Sequence, residues 1–209
     1  MRISKLQYIS STTPEQSHLQ SIEAICKAGG KWIQLRLKEE IPAKVLEIAH
    51  RAKMICKDYG ATFILNDYPE IARVVEADGL HLGKLDMPHV EAREIIGQDM
   101  ILGGTANTME DIRKYAKEGV VDYIGLGPFR YTATKQNLSP ILGLEGYQKV
   151  VEQCKKEQID LPIIAIGGIL LEDISEIMET GVHGIAVSGL LTKAVDKKEM
   201  IEAMNQVLS

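Results

Sequence analysis

Polar side chains alternate with leucine at the end of one apolar segment of the chain. The run Gln34-Leu35-Arg36-Leu37-Lys38 places Gln34, Arg36 and Lys38 on one face of a strand, because strand side chains point alternately to opposite faces. Strands of parallel sheets are covered on both faces and normally read as continuous apolar runs. A solvated surface is therefore the less favoured interpretation. An amide and two cations on one face suit a ligand that carries phosphate.

Two acidic positions follow the next two predicted strands. Asn66-Asp67 comes directly after the apolar segment 61–65, and Asp86 comes soon after the segment 79–82. Taken alone, each Asp reads as a turn or helix-capping residue. Together, beside the cations of the preceding strand, they would let Mg²⁺ be shared between the protein and phosphate oxygens. We therefore predict that Asp67 and Asp86 bind Mg²⁺.

Glycine-rich stretches that also carry hydroxyl groups follow two later predicted strands. Residues 103–108 would let a ligand approach the backbone near Thr105, while Thr108 also reads as a helix cap. Residues 125–135 open the longest connection without strong periodicity and end on Thr132, Thr134 and Lys135. Such a connection is often functional, and this composition is typical of a mobile anion-binding lid rather than a plain surface loop.

The last two predicted strands are each followed by small residues. Gly167-Gly168-Ile169 follows the seventh, and Val187-Ser188-Gly189 follows the eighth. In barrels of eight parallel strands these two loops often form a phosphate site from backbone N–H groups. Glycine permits the close approach that this requires, and Ser188 adds a hydroxyl donor. The pattern predicts a second phosphate site here.

The five histidines show no metal-ligand spacing. His18, His50 and His89 lie on predicted helices, and His81 and His183 lie within predicted strands, so core or surface roles are favoured. The sequence also contains no G-x-S-x-G, H-E-x-x-H, Walker A or Rossmann motif. Hydrolase, zinc and nucleotide-binding functions therefore have no support, and no residue is placed for covalent catalysis.

Apolar, β-branched segments that alternate with segments of helical periodicity must position these residues. The predicted strands are 6–10, 31–36, 61–65, 79–82, 100–103, 121–126, 162–166 and 183–187. The predicted helices are near 14–28, 42–58, 68–76, 88–96, 109–118, 144–157, 171–179 and 197–207, and four of them open on Pro14, Pro42, Pro69 or Pro88. This alternation predicts one domain over 1–209 with the (β/α)8 TIM barrel fold, and the rival is a doubly wound open sheet.

Composition excludes several classes of protein. The chain has 24 Lys and Arg against 29 Asp and Glu, a net charge of −5, and no long run of either sign, which argues against a nucleic-acid partner. Its 3 cysteines are far apart and odd in number, as in a reducing cytosol. Neither an apolar signal segment nor an 18-residue apolar run occurs. We expect a cytoplasmic protein without membrane contact.

Taken together, the motifs resemble those of the thiamine phosphate synthase family over nearly the whole chain. The segments that carry the likeness are 34–38, 66–67, 78–83, 122–128, 132–135 and 165–169. The resemblance implies a TIM barrel and a transferase that joins a pyrimidine diphosphate to a thiazole phosphate with Mg²⁺. These small-molecule phosphates are the expected partners, and a homo-oligomer is compatible with the sequence.

The resemblance also implies a role for each residue of the motifs. The residues expected to bind the diphosphate are Gln34, Arg36, Lys38, Asn66 and Lys135, with Mg²⁺ on Asp67 and Asp86. Thr105 matches a Ser or Thr beside the reacting pyrimidine, and Lys38, Thr105 and Lys135 are the expected catalytic residues. Residues Thr132 and Thr134 match a T-x-T-K loop that closes over the substrates. The residues that match the thiazole phosphate site are Gly168, Val187 and Ser188.

Two positions depart from the family pattern. Tyr131 replaces a proline common before the T-x-T-K loop, and Lys84 replaces a glutamine. If the fourth strand continues, Lys84 lies on the side of Asp86, where it either supplements the diphosphate site or forms a salt bridge with Asp86. The sequence leaves both alternatives open.

Two other functions remain to be distinguished. The related thiazole tautomerase places a histidine where this chain has Pro128 and lacks the lysine that stands here at Lys135. A non-catalytic sensor of phosphate ligands would lack a full metal pair, whereas Asp67 and Asp86 are both present. Both alternatives are therefore less favoured than synthesis of thiamine phosphate.

Overall fold

The computed structural model of the protein describes residues 3–38, 40–131 and 140–209. Within these residues, eight parallel strands close into a barrel in chain order, and the first strand pairs with the last. The strands are β1 Leu6–Ile9, β2 Trp32–Leu35, β3 Thr62–Asn66, β4 Gly79–Leu82, β5 Ile101–Ala106, β6 Tyr123–Leu126, β7 Ile163–Ile166 and β8 Gly184–Val187. The predicted (β/α)8 barrel is confirmed, and the open sheet is excluded.

Helices cover the outside of the barrel. They are α1 His18–Lys27, α2 Pro42–Asp58, α3 Pro69–Val74, α4 His89–Ile96, α5 Met109–Glu118, α6 Gly143–Lys156, α7 Ile174–Glu179, α8 Gly189–Thr192 and α9 Lys197–Leu208, with a 3₁₀ turn at Leu171–Asp173. Pro42 and Pro69 open their helices as predicted, because the first helical N–H has no partner within the helix. Thr108 caps α5 through a capping box with Asp111.

Several predicted boundaries are wrong for local reasons. The first helix begins at His18 and not at Pro14, because Ser17 and Gln20 form its capping box. Thr13 and Gln16 pair with each other in the turn before it. Pro88 is the N-cap of α4 and not its first residue. Strand β5 runs to Ala106, beyond its predicted end at residue 103.

Side chains of the strands form one core inside the barrel and another outside it. The inner core consists of Ile9, Trp32, Ile64, Ile101, Tyr123, Ile164 and Ala186. The rings of Trp32 and Tyr123 meet edge to face, with centroids 5.0 Å apart. The alternate strand residues, Leu35 among them, pack with Leu37 against the helices as predicted. The inner core thus fills the barrel beneath its carboxyl-terminal mouth, and polar residues lie at the mouth itself.

Two aspartates at the opposite end of the barrel have a structural role. Asp78 precedes β4 and accepts hydrogen bonds from the N–H of Phe63, at 2.8 Å, and from Lys53, at 2.7 Å. Asp122 precedes β6 and likewise accepts from the N–H of Leu102 and from Arg93, both at 2.7 Å. Each carboxylate therefore ties the start of its strand to the preceding strand and to one helix. Both lie within motifs that carry the family resemblance, but neither lies at the mouth.

Candidate functional site

Gln34 and Asn66 face the barrel interior at the carboxyl ends of β2 and β3. Gln34 Nε2 donates to Asn66 Oδ1 at 2.7 Å, and both residues are buried. Gln34 Oε1 is buried without a hydrogen-bond partner among the described residues. Phosphate oxygens are acceptors like this atom, so Gln34 Oε1 suits a ligand N–H group better than a phosphate.

Lys38, Asp67 and Asp86 come together beside this pair. Lys38 Nζ donates to Asp67 Oδ2 at 2.6 Å, while Asp86 Oδ2 accepts from the N–H of Gly83, also at 2.6 Å. Burial raises the pKa of Asp67, and the nearby carboxylate of Asp86 raises it further against the opposing effect of Lys38. Arg36 follows β2 and is half-buried. The structure thus brings two carboxylates and a lysine into contact where the sequence predicted them.

Asp67 has the features of a residue held in place for a ligand. Its backbone lies in the left-handed region, with φ at 75°, which side chains other than glycine adopt rarely. Its Oδ1 atom is buried and has no hydrogen-bond partner in the described part of the chain. A cation between Asp67 and Asp86 would satisfy this oxygen and reduce the repulsion between the carboxylates.

The donor set fits Mg²⁺ bound jointly with a substrate. In the described ranges, no group of three or more His, Cys, Asp or Glu side chains is placed to hold a metal ion. Mg²⁺ usually keeps several waters and takes only one or two protein carboxylates together with substrate phosphates. Asp67 and Asp86 therefore suffice only if a phosphate ligand completes the site.

Lys84 forms an ion pair that the sequence did not predict. Its Nζ lies 2.8 Å from Asp111 Oδ1, so of the two alternatives that the sequence left open, the salt bridge with Asp86 is not formed among the described residues. The reason is that β4 ends at Leu82 and the chain turns, with the N–H of Gly83 bonded back to Asp86. Strand alternation therefore no longer applies at Lys84, which instead links this loop to the start of α5.

Thr105 lies within β5 and faces the interior of the barrel. Its Oγ1 is 3.0 Å from His81 Nε2, and its carbonyl oxygen accepts from Tyr115 Oη at 2.8 Å. His81 is buried, in agreement with the predicted core role, and its contact with Thr105 brings it beside the candidate site, which the sequence did not predict. The signal that could have found it is alternation along β4, which places His81 on the inner face beside Asn66.

The two glycines of β5 allow close packing of neighbouring side chains and not the predicted approach of a ligand. A Cβ atom on Gly104 would lie 2.9 Å from His89 Nε2, and one on Gly103 would overlap the ring of Tyr123. Neighbouring side chains of the protein fill the space beside both glycines. Their lack of a side chain is therefore explained by packing and not by the approach of a ligand.

The loops after β6 and β7 pack together on the other side of the mouth. The N–H groups of Phe129 and Arg130 donate to the carbonyl oxygens of Ile166 and Gly167 at 2.9 and 3.0 Å. Both Gly167 and Gly168 have left-handed φ, at 103° and 70°. A Cβ atom on Gly168 would lie 2.5 Å from Arg130 Cγ, so the stem of Arg130 covers this glycine.

Arg130 is a second site residue that the sequence motifs did not reveal. Its Nη2 donates to Asp173 Oδ1 at 2.7 Å, which holds the guanidinium beside the Gly167-Gly168 turn. Val187 is buried and packs in the outer core, so only its backbone can reach a ligand at the mouth. Ser188 follows it directly and is half-buried. The predicted residues Thr132, Thr134 and Lys135 lie outside the described residues, and their roles stay predictions.

The fold and the mouth residues define a (β/α)8 barrel with a polar site at the carboxyl ends of its strands, where barrel enzymes carry their active sites. The family model described as thiamine monophosphate synthase matches residues 6–191. The chain therefore belongs to the thiamine monophosphate synthase family. Among the described residues, no helix has the length and apolar character to cross a membrane.

Individual relatives agree with this assignment over more than nine tenths of their lengths. The thiamine-phosphate synthase of Phocaeicola vulgatus is 51% identical over 192 residues, which are 92% of this chain and 92% of that protein. The thiamine-phosphate synthase of Flavobacterium johnsoniae is 48% identical and covers 98% of this chain and 96% of its own. The solved structure of thiamine phosphate pyrophosphorylase from Pyrococcus furiosus superposes with a TM-score of 0.83 at 31% identity, over 98% of this chain and 95% of that one.

Proposed function

We propose that this chain synthesises thiamine phosphate. It joins 4-amino-2-methyl-5-pyrimidinylmethyl diphosphate to 4-methyl-5-(2-phosphoethyl)thiazole and releases diphosphate. The observation that carries the proposal is the contact of Lys38, Asp67 and Asp86 at the barrel mouth, within a chain of this family. A lysine beside a pair of carboxylates suits a metal-bound diphosphate leaving group.

The buried amide pair orients the pyrimidine ring. Gln34 Oε1 accepts a hydrogen bond from the 4-amino group, which is the donor that the aminopyrimidine offers. Asn66 fixes the orientation of the Gln34 amide through their 2.7 Å hydrogen bond. This assignment shifts Gln34 from the diphosphate, its role by family resemblance, to the ring of the same substrate.

Positive charge collects around the leaving group. Arg36, Lys38 and Lys135 bind diphosphate oxygens, and Lys38 is held at the mouth by Asp67. When bound by Asp67 and Asp86, Mg²⁺ supplies further positive charge against the diphosphate. These groups stabilise charge that grows on the leaving oxygen as its bond to carbon breaks, which is where electrostatic stabilisation accelerates a reaction most.

The substitution is dissociative. No Cys, Ser or Glu among the assigned site residues forms a nucleophile and base pair, so a covalent enzyme intermediate has no candidate. Diphosphate departs first, its bonding electron pair stays on oxygen, and a pyrimidine-methylene cation remains. The thiazole nitrogen then donates its electron pair to that methylene carbon. The protein's contribution to this second step is to hold the two rings at attack distance.

The second phosphate is bound across the mouth. Gly168 and Ser188 offer backbone N–H groups, and Ser188 adds a hydroxyl donor, whereas the N–H of Val187 pairs with β1. Arg130, which lies over Gly168, adds positive charge beside the same turn. This places the thiazole phosphate opposite the cluster of Lys38 and Asp67.

A turnover assay tests the proposed function. The purified protein with both substrates and Mg²⁺ is expected to release thiamine phosphate and diphosphate in equal amounts, measured by chromatography, and excess EDTA is expected to abolish turnover. Conversion of a thiazole phosphate tautomer without any pyrimidine substrate would instead indicate a tautomerase. Binding of the substrates without turnover would indicate a sensor, and full turnover in EDTA would contradict the metal site.

Ser188→Ala separates the two phosphate sites. Because Ser188 contacts only the thiazole phosphate in this proposal, its loss should raise the KM for that substrate about 3- to 10-fold, the usual effect of one hydrogen bond. The KM for the pyrimidine diphosphate and kcat should change less than twofold. Steady-state kinetics with each substrate varied in turn measures this. A rise only in the KM for the pyrimidine diphosphate would mean that the two sites are exchanged.

A further inference from the structure

A chain of buried hydrogen bonds crosses the barrel interior from β1 to β5. Gln7 Nε2 donates to Tyr123 Oη at 3.2 Å, and Tyr123 Oη lies 3.0 Å from His81 Nδ1. His81 Nε2 in turn lies 3.0 Å from Thr105 Oγ1. Gln7, Tyr123 and His81 are buried, whereas Thr105 is half-buried at the mouth. The mechanism proposed above uses none of these four residues, and the family resemblance assigns a role only to Thr105, beside the reacting pyrimidine.

The direction of the hydrogen bonds follows from the hydroxyl group of Tyr123. Burial raises the pKa of Tyr123, so the hydroxyl keeps its hydrogen. Because the Gln7 amide N–H donates to the oxygen of Tyr123, the hydrogen of that hydroxyl is left for His81 Nδ1. A neutral imidazole that accepts at Nδ1 carries its own hydrogen on Nε2, and donates it to Thr105 Oγ1. The hydrogen of Thr105 Oγ1 is then left for a ligand.

The surrounding strands leave room for this chain. A Cβ atom on Gly103 would lie 2.5 Å from His81 Nδ1, and one on Gly125 would lie 3.3 Å from His81 Cε1. Both glycines are at inward positions of β5 and β6, so a side chain at Gly103 would displace His81 and one at Gly125 would press closely against it. Lower in the barrel the interior is filled by apolar residues. Burying polar groups costs free energy unless each is hydrogen-bonded, and the three hydrogen bonds of this chain pair Gln7, Tyr123 and His81.

We propose that Tyr123 and His81 are positioning residues that make Thr105 a hydrogen-bond donor towards the bound pyrimidine diphosphate, with Gln7 setting the direction. This inference rests on the proposed function and on the family resemblance, which implies that Thr105 lies beside the reacting pyrimidine. A donor at Thr105 takes a substrate acceptor, either a ring nitrogen or a diphosphate oxygen, and rejects the amino group. Gln34 Oε1, an acceptor, takes the amino group. The two residues thus select one orientation of the substrate.

The tautomer of His81 tests the direction without any measurement of activity. ¹⁵N NMR of the ligand-free protein at a pH where His81 is neutral is expected to show hydrogen on Nε2 and none on Nδ1. The His81→Gln protein assigns the signal among the 5 histidines. Hydrogen on Nδ1 would mean that the chain runs the other way and that Thr105 is an acceptor, which would overturn the inference.

Kinetics of paired variants tests the coupling to Thr105. Tyr123→Phe is expected to lower kcat/KM for the pyrimidine diphosphate about 3- to 10-fold, as for one neutral hydrogen bond, and to leave the KM for thiazole phosphate unchanged. In the Thr105→Val background, Tyr123→Phe should lower kcat/KM less than twofold, because no hydroxyl remains at residue 105 to be oriented. In the Thr105→Ser background the full loss should return.

Tyr8→Phe is the matched control. It removes another buried tyrosine hydroxyl, which is bonded at 2.7 Å to Thr192 outside the barrel interior. Its effect should be the same in the wild-type and Thr105→Val backgrounds. If Tyr123→Phe also lowered kcat/KM equally in the two backgrounds, Tyr123 would have only a structural role and the inference would be wrong. A wild-type protein without turnover would overturn the proposed function itself, and the two failures are therefore distinguishable.

Discussion

Asp67→Asn is expected to lower kcat about 10²- to 10³-fold, or roughly 2.7 to 4 kcal/mol in transition-state stabilisation, as does the loss of one strong electrostatic contact to developing charge. Asparagine keeps the shape of the side chain but removes the charge of an oxygen that is buried without a partner among the described residues. The same loss is expected for Asp86→Asn. Steady-state rates at saturating Mg²⁺ and substrates measure it, and a loss below threefold would place the metal ligands elsewhere.

Thermal unfolding shows whether such a loss comes from metal binding or from misfolding. With saturating diphosphate present to complete the site, Mg²⁺ at ten times its Kd should stabilise the wild-type protein by about 1.4 kcal/mol, which raises Tm by about 3 to 6 °C for a chain of this size. Asp67→Asn should abolish this rise, whereas Asp99→Asn, at an exposed position away from the site, should keep it. A rise that persists in Asp67→Asn would contradict the assignment.

Metal-free Asp67→Asn should be no less stable than the wild-type protein at neutral pH. Because burial and Asp86 raise the pKa of Asp67, the folded state holds that proton more tightly than the unfolded chain does. Stability from this group therefore falls as pH rises through the raised pKa, and the charged form opposes folding above it. Removing the charge relieves this cost and offsets the loss of the exposed ion pair with Lys38.

Local periodicity was enough to predict the fold and one wall of the site. The alternation of polar and leucine residues from Gln34 to Lys38 follows from strand geometry alone, and the structure places Gln34 inside and Leu35 outside as expected. The eight strand segments and the prolines that open α2 and α3 are signals of the same short range. Such signals depend only on residues that are close in sequence, so they can be recognised before the fold is known.

Contacts between distant segments decided what the sequence could not predict. The free acceptor on Gln34 exists because its amide donates to Asn66, 32 residues away, and Arg130 is held by Asp173, 43 residues away. His81 carried no metal spacing, and its partners Tyr123 and Thr105 come from other strands. The partner of Lys84 could not be predicted, because β4 ends at Leu82 and strand alternation does not apply beyond it. In each case the sequence did not show which polar atom of the side chain faces the site, because contacts with residues distant in sequence determine this.

An electron-withdrawing group in place of the 2-methyl group of the pyrimidine is expected to slow the chemical step by at least about 10²-fold, or 2.7 kcal/mol. The cation left by departing diphosphate is stabilised by electrons from the ring and its 4-amino group, and such a substituent withdraws them. With a group of similar size, ground-state binding should change little, since the amino group still donates to Gln34 Oε1 and the charge on the diphosphate is the same. The rate of the chemical step should therefore fall while the affinity for the substrate changes little.

Single-turnover rates at saturating substrates measure this dependence directly. A graded series of 2-substituents should give a steep decline of the rate with electron withdrawal, because nearly full positive charge develops at the methylene carbon before the thiazole nitrogen attacks. Direct displacement would share that charge with the incoming nitrogen and give a flat series. A matched series in Lys38→Ala gives the control: the lysine serves the leaving group, so its loss should lower every rate while the slope stays steep. A flat wild-type series would overturn the dissociative mechanism and leave the metal site and the family assignment intact.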